Sequence, residues 1–163
     1  MAVGENAAAF YNRRVEHHLP RISRATSPVY FQDRADHVGS AVMLKIAMRV
    51  FAITAAHVVD NAHKGELVLG AGETTVRVTG TRSTTRLPVG GTRCDDKIDL
   101  AIIALDDRSA AKFPPTDCLT ADDLAPIGVS HHDDYFLVAG YPHTKQKLRL
   151  REDQIDSCRF RKF

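Results

Sequence analysis

Phe51-Ala52-Ile53-Thr54-Ala55-Ala56-His57-Val58-Val59-Asp60 is the stretch from which the rest of the chain is read. Phe51 to Ala56 carry no charge and suit a pleated, packed environment, while His57 to Asn61 opens a short helical turn. The prediction is a buried strand that runs straight into a histidine held on a rigid element. A histidine in that setting is a candidate general base, because its unperturbed pKa near neutrality lets it accept and return a proton at working pH. Taken alone, a histidine at such a place more often caps a strand than catalyses, so its neighbours decide.

A second apolar run, Leu100 to Leu105, follows a cluster of three carboxylates, Asp95, Asp96 and Asp99. Asp99 is the one expected to face His57, because the buried strand begins immediately after it and leaves Asp99 at the strand's mouth. Partial burial suits the role. A desolvated carboxylate accepting one ring N–H fixes the imidazole tautomer and stabilises the imidazolium that forms during proton transfer.

The segments Thr54-Ala55-Ala56-His57 and Asp99-Leu100-Ala101-Ile102-Ile103 resemble those of trypsin-like (chymotrypsin-fold) serine peptidases, in particular the bacterial members. The resemblance runs from about Val29 to Lys147 and includes Gly140-Tyr141-Pro142, similar to the turn that opens the family's second barrel. It implies an all-β fold built on a six-stranded antiparallel barrel, with His57 as general base and Asp99 as its orienting carboxylate. It also implies a protein or peptide substrate and no cofactor. The order His then Asp fits the family, whose nucleophilic serine comes last.

That serine is not recognisable here. No G-D-S-G-G segment is present, Ser130 in Gly128-Val-Ser-His-His132 lacks the G-x-S-x-G pattern, and Ser157 in Asp156-Ser-Cys158 lacks flanking glycines. Those glycines let the backbone turn tightly enough to aim N–H groups at an oxyanion. Cys158 fails as a nucleophile for the same reason. The expected organisation is an N-terminal extension over 1–28, a first barrel over 29–106, an inter-barrel linker over 107–134, and the start of a truncated second barrel with a basic tail over 135–163. On this division the chain is the N-terminal portion of a serine endopeptidase, inactive alone and completed by a C-terminal barrel in cis or in trans. The alternative is a protease-like module that binds protein or peptide without cleaving it.

Composition is ordinary for a soluble globular protein: 163 residues, 44% hydrophobic and 26% charged. A net charge of +2 is too small to point to nucleic acid. No apolar run approaches a bilayer span and the first ten residues lack a basic segment followed by an apolar block, so no membrane association and a cytoplasmic location are expected. Three cysteines, Cys94, Cys118 and Cys158, form no C-x-x-C pair and agree with a reducing compartment. His17-His18 and His131-His132-Asp133-Asp134 contain ligand-type side chains, but adjacent residues point in different directions and lack the i, i+4 spacing of a helical zinc site. No metal is expected.

Along the chain, residues 5 to 19 suit an amphipathic helix with Asn6 as cap and Phe10, Val15 and Leu19 on its apolar side. Pro20 and Pro28 are expected to break the next stretch. Strands are predicted at Val29–Phe31, Val38–Ile46, Arg49–Ala56, Glu66–Leu69, Thr74–Thr81, Leu100–Leu105 and Tyr135–Ala139, with another across Lys145–Arg151. Ala47-Met48 is an unusual hairpin connection, lacking the Gly or Asn that such turns favour. Ser83 to Lys97 reads as a long polar loop.

Overall fold

A computed structural model describes residues 7–32, 36–124, 140–141, 150–151 and 154–155. Helix α1 (Ala7–Ala25) leads into strands β1 (Thr26–Phe31), β2 (Asp36–Ile46) and β3 (Arg49–Ala55), and β3 runs directly into the short helix α2 (Ala56–Asp60). Strands β4 (Leu67–Ala71), β5 (Thr74–Arg77), β6 (Gly80–Thr84) and β7 (Leu100–Leu105) come next, then helix α3 (Asp107–Ala110) and strand β8 (Leu119–Thr120). A separate pair, β9 (Leu150–Arg151) and β10 (Gln154–Ile155), is antiparallel.

The main sheet has eight strands in the order β5-β4-β1-β2-β3-β7-β6, every step antiparallel, with β8 added to β2 in parallel. β5 and β6 stand at opposite ends of that path yet are joined by only Val78 and Thr79. The sheet therefore has to curl back on itself, and these two residues bridge its edges. Val78 N–H donates to Leu67 O at 2.9 Å beyond one edge, and Asp106 N–H donates to Thr79 O at 3.2 Å beside the other. Gly80 makes the crossing possible, because its φ is +136° and an added Cβ would lie 1.9 Å from Ala104 O. The result is a predominantly antiparallel, barrel-like all-β fold.

Alternation along the strands places the core on the concave side. Val29 and Phe31, Ala41 and Met43, Val50 and Ala52, Leu67 and Leu69, Ile103 and Leu105 all point inward and are buried. Val58 of α2, Phe113 and Cys118 close the ends of this cluster. Each fully buried Val, Leu, Ile, Met or Phe side chain among them contributes about 1.5–3 kcal/mol through removal from water.

Several local expectations are corrected. The helix does not stop at Pro20 but runs on to Ala25. Proline removes one helical hydrogen bond, yet tertiary contacts secure the turns beyond it. Arg21 donates to Thr116 O at 2.9 Å and to Asp123 Oδ2 at 2.8 Å, Ala25 is wholly buried, and Thr26 Oγ1–H donates to Ile22 O at 2.7 Å. Pro28 lies inside β1 and does not break it. β4 pairs with β1 only from Val29 onward, so one flank of Pro28 has no ladder to interrupt. Asn6, the proposed cap, lies outside the described residues.

The span 74–81 is two strands, split at Val78–Thr79 where the chain changes edge, and β8 raises the count from the expected six strands to eight. β6 also extends to Thr84, into the predicted polar loop; every side chain along it is exposed, so its pairing with β7 left no apolar pattern to read. Ala47 in the β2–β3 turn has φ +52°, a left-handed conformation that glycine or asparagine would adopt more readily. The predicted linker is built into the body as far as residue 124, through α3, β8 and the buried Phe113 and Cys118. Tyr141 is seated on this same body: its N–H donates to Ser40 Oγ at 2.8 Å and its hydroxyl to Thr26 O at 3.3 Å. The predicted strand Tyr135–Ala139 and most of Lys145–Arg151 lie outside the described residues. Among the described residues no helix is long and apolar enough to cross a membrane.

Candidate functional site

Strand register brings the two motifs together. β3 and β7 are antiparallel neighbours with Ala55 opposite Leu100, so the residues one step beyond, Ala56-His57 on one chain segment and Asp99 on the other, meet at the same end of the sheet. Ala56 N–H donates to Asp99 O at 3.0 Å and extends the ladder by one rung. β3 then turns into α2, which directs the His57 side chain back over the strand end.

His57 Nδ1 lies 2.6 Å from Asp99 Oδ2, while His57 N–H donates to Asp99 Oδ1 at 2.9 Å. Both carboxylate oxygens are thus committed to one residue. Asp99 reaches this position from a left-handed backbone, φ +45°, which an Asp tolerates better than most side chains but which still costs free energy. Partial burial raises the Asp99 pKa, but the hydrogen bonds from the His57 ring and backbone outweigh it and hold the carboxyl below its ordinary value. At neutral pH Asp99 is an anion and accepts only.

This fixes the imidazole chemistry. In neutral His57 the proton sits on Nδ1, where a carboxylate can accept it, so the lone pair is on Nε2. Among the described residues nothing hydrogen-bonds Nε2, and the His57 side chain is 53% exposed. The ring is therefore oriented on one side and open on the other, the arrangement a general base needs to reach a hydroxyl.

The competing carboxylates are used differently. Asp95 accepts from Thr92 N–H at 2.7 Å and from Thr92 Oγ1–H at 2.9 Å, closing the turn Arg93–Asp95. Asp96 accepts from Thr85 Oγ1–H, from Ile98 N–H at 3.0 Å and from Arg93 Nη1 at 2.6 Å. The Thr85 hydroxyl and then these other donors place its carboxyl well below the usual range. Neither contacts His57.

Four residues around the pair carry roles that their sequence pattern does not announce: Asp60, Thr85, Arg93 and, beyond its candidacy as the partner of His57, Asp96. Arg93 Nε donates to Asp60 Oδ2 at 2.6 Å, and its Nη1 to Thr85 O at 2.9 Å besides Asp96. Thr85 Oγ1 also accepts from Leu100 N–H at 3.2 Å. Such residues are scattered through a polar segment without periodicity; the only signal in the sequence is the density of acidic residues around one arginine. Ser130, Ser157 and Cys158 lie outside the described residues. His17 and His18 meet edge to face, 4.8 Å between ring centres, and among the described residues no three His, Cys, Asp or Glu side chains converge as a metal site would require.

No protein-family model matches the chain, and no curated protein or solved structure is significantly similar to it.

Proposed function

We propose that this chain supplies the proton-handling half of a trypsin-like serine endopeptidase, with His57 as general base and Asp99 as the carboxylate that orients it. The observation that carries this reading is the two-point hold of Asp99 on His57, at 2.6 Å and 2.9 Å, which leaves Nε2 without a hydrogen bond among the described residues, on a side chain 53% exposed. In such a reaction Nε2 takes the hydroxyl proton as a serine oxygen attacks the peptide carbonyl, and later returns it to the leaving amine; Asp99 stabilises the imidazolium in between. The 163 residues contain no G-D-S-G-G segment, so the attacking oxygen, the oxyanion donors and the specificity pocket come from a further segment, in cis or from a second chain. The barrel-like sheet supports the reading, as a scaffold on which strand ends place the pair.

The test is complementation. The 163 residues alone are expected to leave peptides intact; mixed or fused with a C-terminal barrel carrying a G-D-S-G-G loop they cleave, and His57→Ala abolishes that cleavage. Cleavage indifferent to His57→Ala contradicts the assignment.

A second reading, a non-catalytic module that binds protein or peptide, is favoured by the apolar side chains beside the pair. Ile98 is 72% exposed, and Leu100 and Ile102 present their side chains on the outer face of β7. On that reading peptide binding is lost on Leu100→Ser with Ile102→Ser and is untouched by His57→Ala.

A further inference from the structure

The geometry points to Arg93 as a positioning residue for the His57–Asp99 pair, an inference that rests on the proton-transfer reading of that pair. His57 and Asp99 belong to different segments, the helix after β3 and the loop before β7, and nothing in strand pairing alone sets the angle of that helix against that loop. Arg93 spans the gap. Its Nε reaches Asp60, the last residue of α2 and one helical turn beyond His57, while its Nη1 reaches Asp96, whose carboxylate also accepts the N–H of Ile98, next to Asp99 in the loop. One guanidinium, with only 15% of its side chain exposed, therefore grips both carriers.

The chemistry suits arginine and no other cation. A guanidinium is planar with donors fixed in a fork, so contacts at Nε and Nη1 dictate the relative placement of two carboxylates, whereas an ammonium is a point charge on a flexible stem. Asp96, its side chain only 4% exposed, anchors through the Ile98 N–H the segment that leads into Asp99, whose φ is +45°. Without the Arg93 contact Asp96 retains Thr85 and the Ile98 N–H but loses the tie to α2. Asp99 keeps its bonds to Ala56 and His57, but with α2 no longer braced at Asp60 the His57 ring is held less rigidly against it.

The experiment reads the pair directly in the full 163-residue chain, without requiring hydrolysis. With ¹⁵N-labelled histidine, the His57 Nδ1–H proton in a 2.6 Å bond to a carboxylate gives a low-field resonance, assigned by its loss in Asp99→Asn. Arg93→Gln and Arg93→Lys are both expected to speed exchange of that proton with water by about tenfold or more, the factor that corresponds to one charge-assisted hydrogen bond. Asp60→Asn, which cuts only the helix arm, is expected to do the same and serves should Arg93→Gln fail to fold. Arg77→Gln, which removes an exposed ion pair with Glu66 at the other side of the sheet, leaves the exchange rate unchanged. An unaltered resonance in folded Arg93→Gln and in Asp60→Asn overturns the assignment of Arg93, whatever the outcome of complementation. Failure of complementation with exchange sped in these variants overturns the peptidase reading and leaves Arg93 as the residue that sets the pair.

Discussion

Asp99 holds His57 at two points, accepting from the backbone N–H with one oxygen and from the ring with the other. A carboxylate anchored in this way cannot rotate to present its other edge, so the imidazole tautomer is set by the fold before any substrate arrives. The left-handed backbone of Asp99 is the cost of that aim, offset by the ladder bond to Ala56.

Replacing Asp99 by Asn separates geometry from charge. Asparagine tolerates the same backbone conformation, so unfolding midpoints are expected to move little. Its amide can present N–H to Nδ1 and so favours the wrong tautomer. Turnover of the complemented enzyme is expected to fall by about 10⁴-fold, measured as kcat at saturating peptide.

Gly39 is a remote route to the same pair. An added Cβ would come within 2.8 Å of Val58 Cγ2, and Val58 is buried beside His57 at the base of α2. Gly39→Ala is expected to destabilise the fold by about 1–3 kcal/mol through overpacking. It should also shift the His57 ring resonances, whereas a truncation elsewhere in the core, such as Leu69→Ala, lowers stability without moving them.

Acid sensitivity has a defined source at the α1 contact. The hydrogen bond from Arg21, with those from Thr120, brings the Asp123 carboxyl down to about 2, below an unfolded value of about 3.9. A group depressed in the folded state stabilises above its unfolded pKa, and the contribution disappears as pH falls through the folded value. Arg21→Ala is therefore expected to lower the urea midpoint most at about pH 6, the gap narrowing as pH falls toward about 2 while the loss of the Thr116 contact remains. Parallel curves across that range would place the acid-sensitive contact elsewhere.

Legibility from the sequence tracked burial. His57 and Asp99 could be paired from the sequence because each borders an uncharged, largely apolar run, Phe51 to Ala56 and Leu100 to Leu105, and register does the rest. β6 was hidden because its side chains are all exposed and its stability comes from backbone pairing with β7. Residues 107–124 read as linker because Phe113 and Cys118 are isolated apolar positions among prolines and polar residues, and only the tertiary structure shows them entering the core. Pro20 misled because helix continuation past it depends on Arg21 reaching Thr116 and Asp123, contacts about a hundred positions away in the chain. Arg93 was invisible for the same reason: its partners Asp60, Thr85 and Asp96 converge only once β3 and β7 are side by side.

The most direct measurement of the central claim is reaction with a serine-directed fluorophosphonate, read by mass spectrometry. The 163-residue chain alone should remain unlabelled. With a C-terminal barrel carrying a G-D-S-G-G loop, one equivalent should attach to the serine of that loop, and His57→Ala should suppress it. Stoichiometric labelling of the lone chain at Ser130 or Ser157, or labelling of the complemented protein that persists in His57→Ala, would contradict the assignment of His57 as the base.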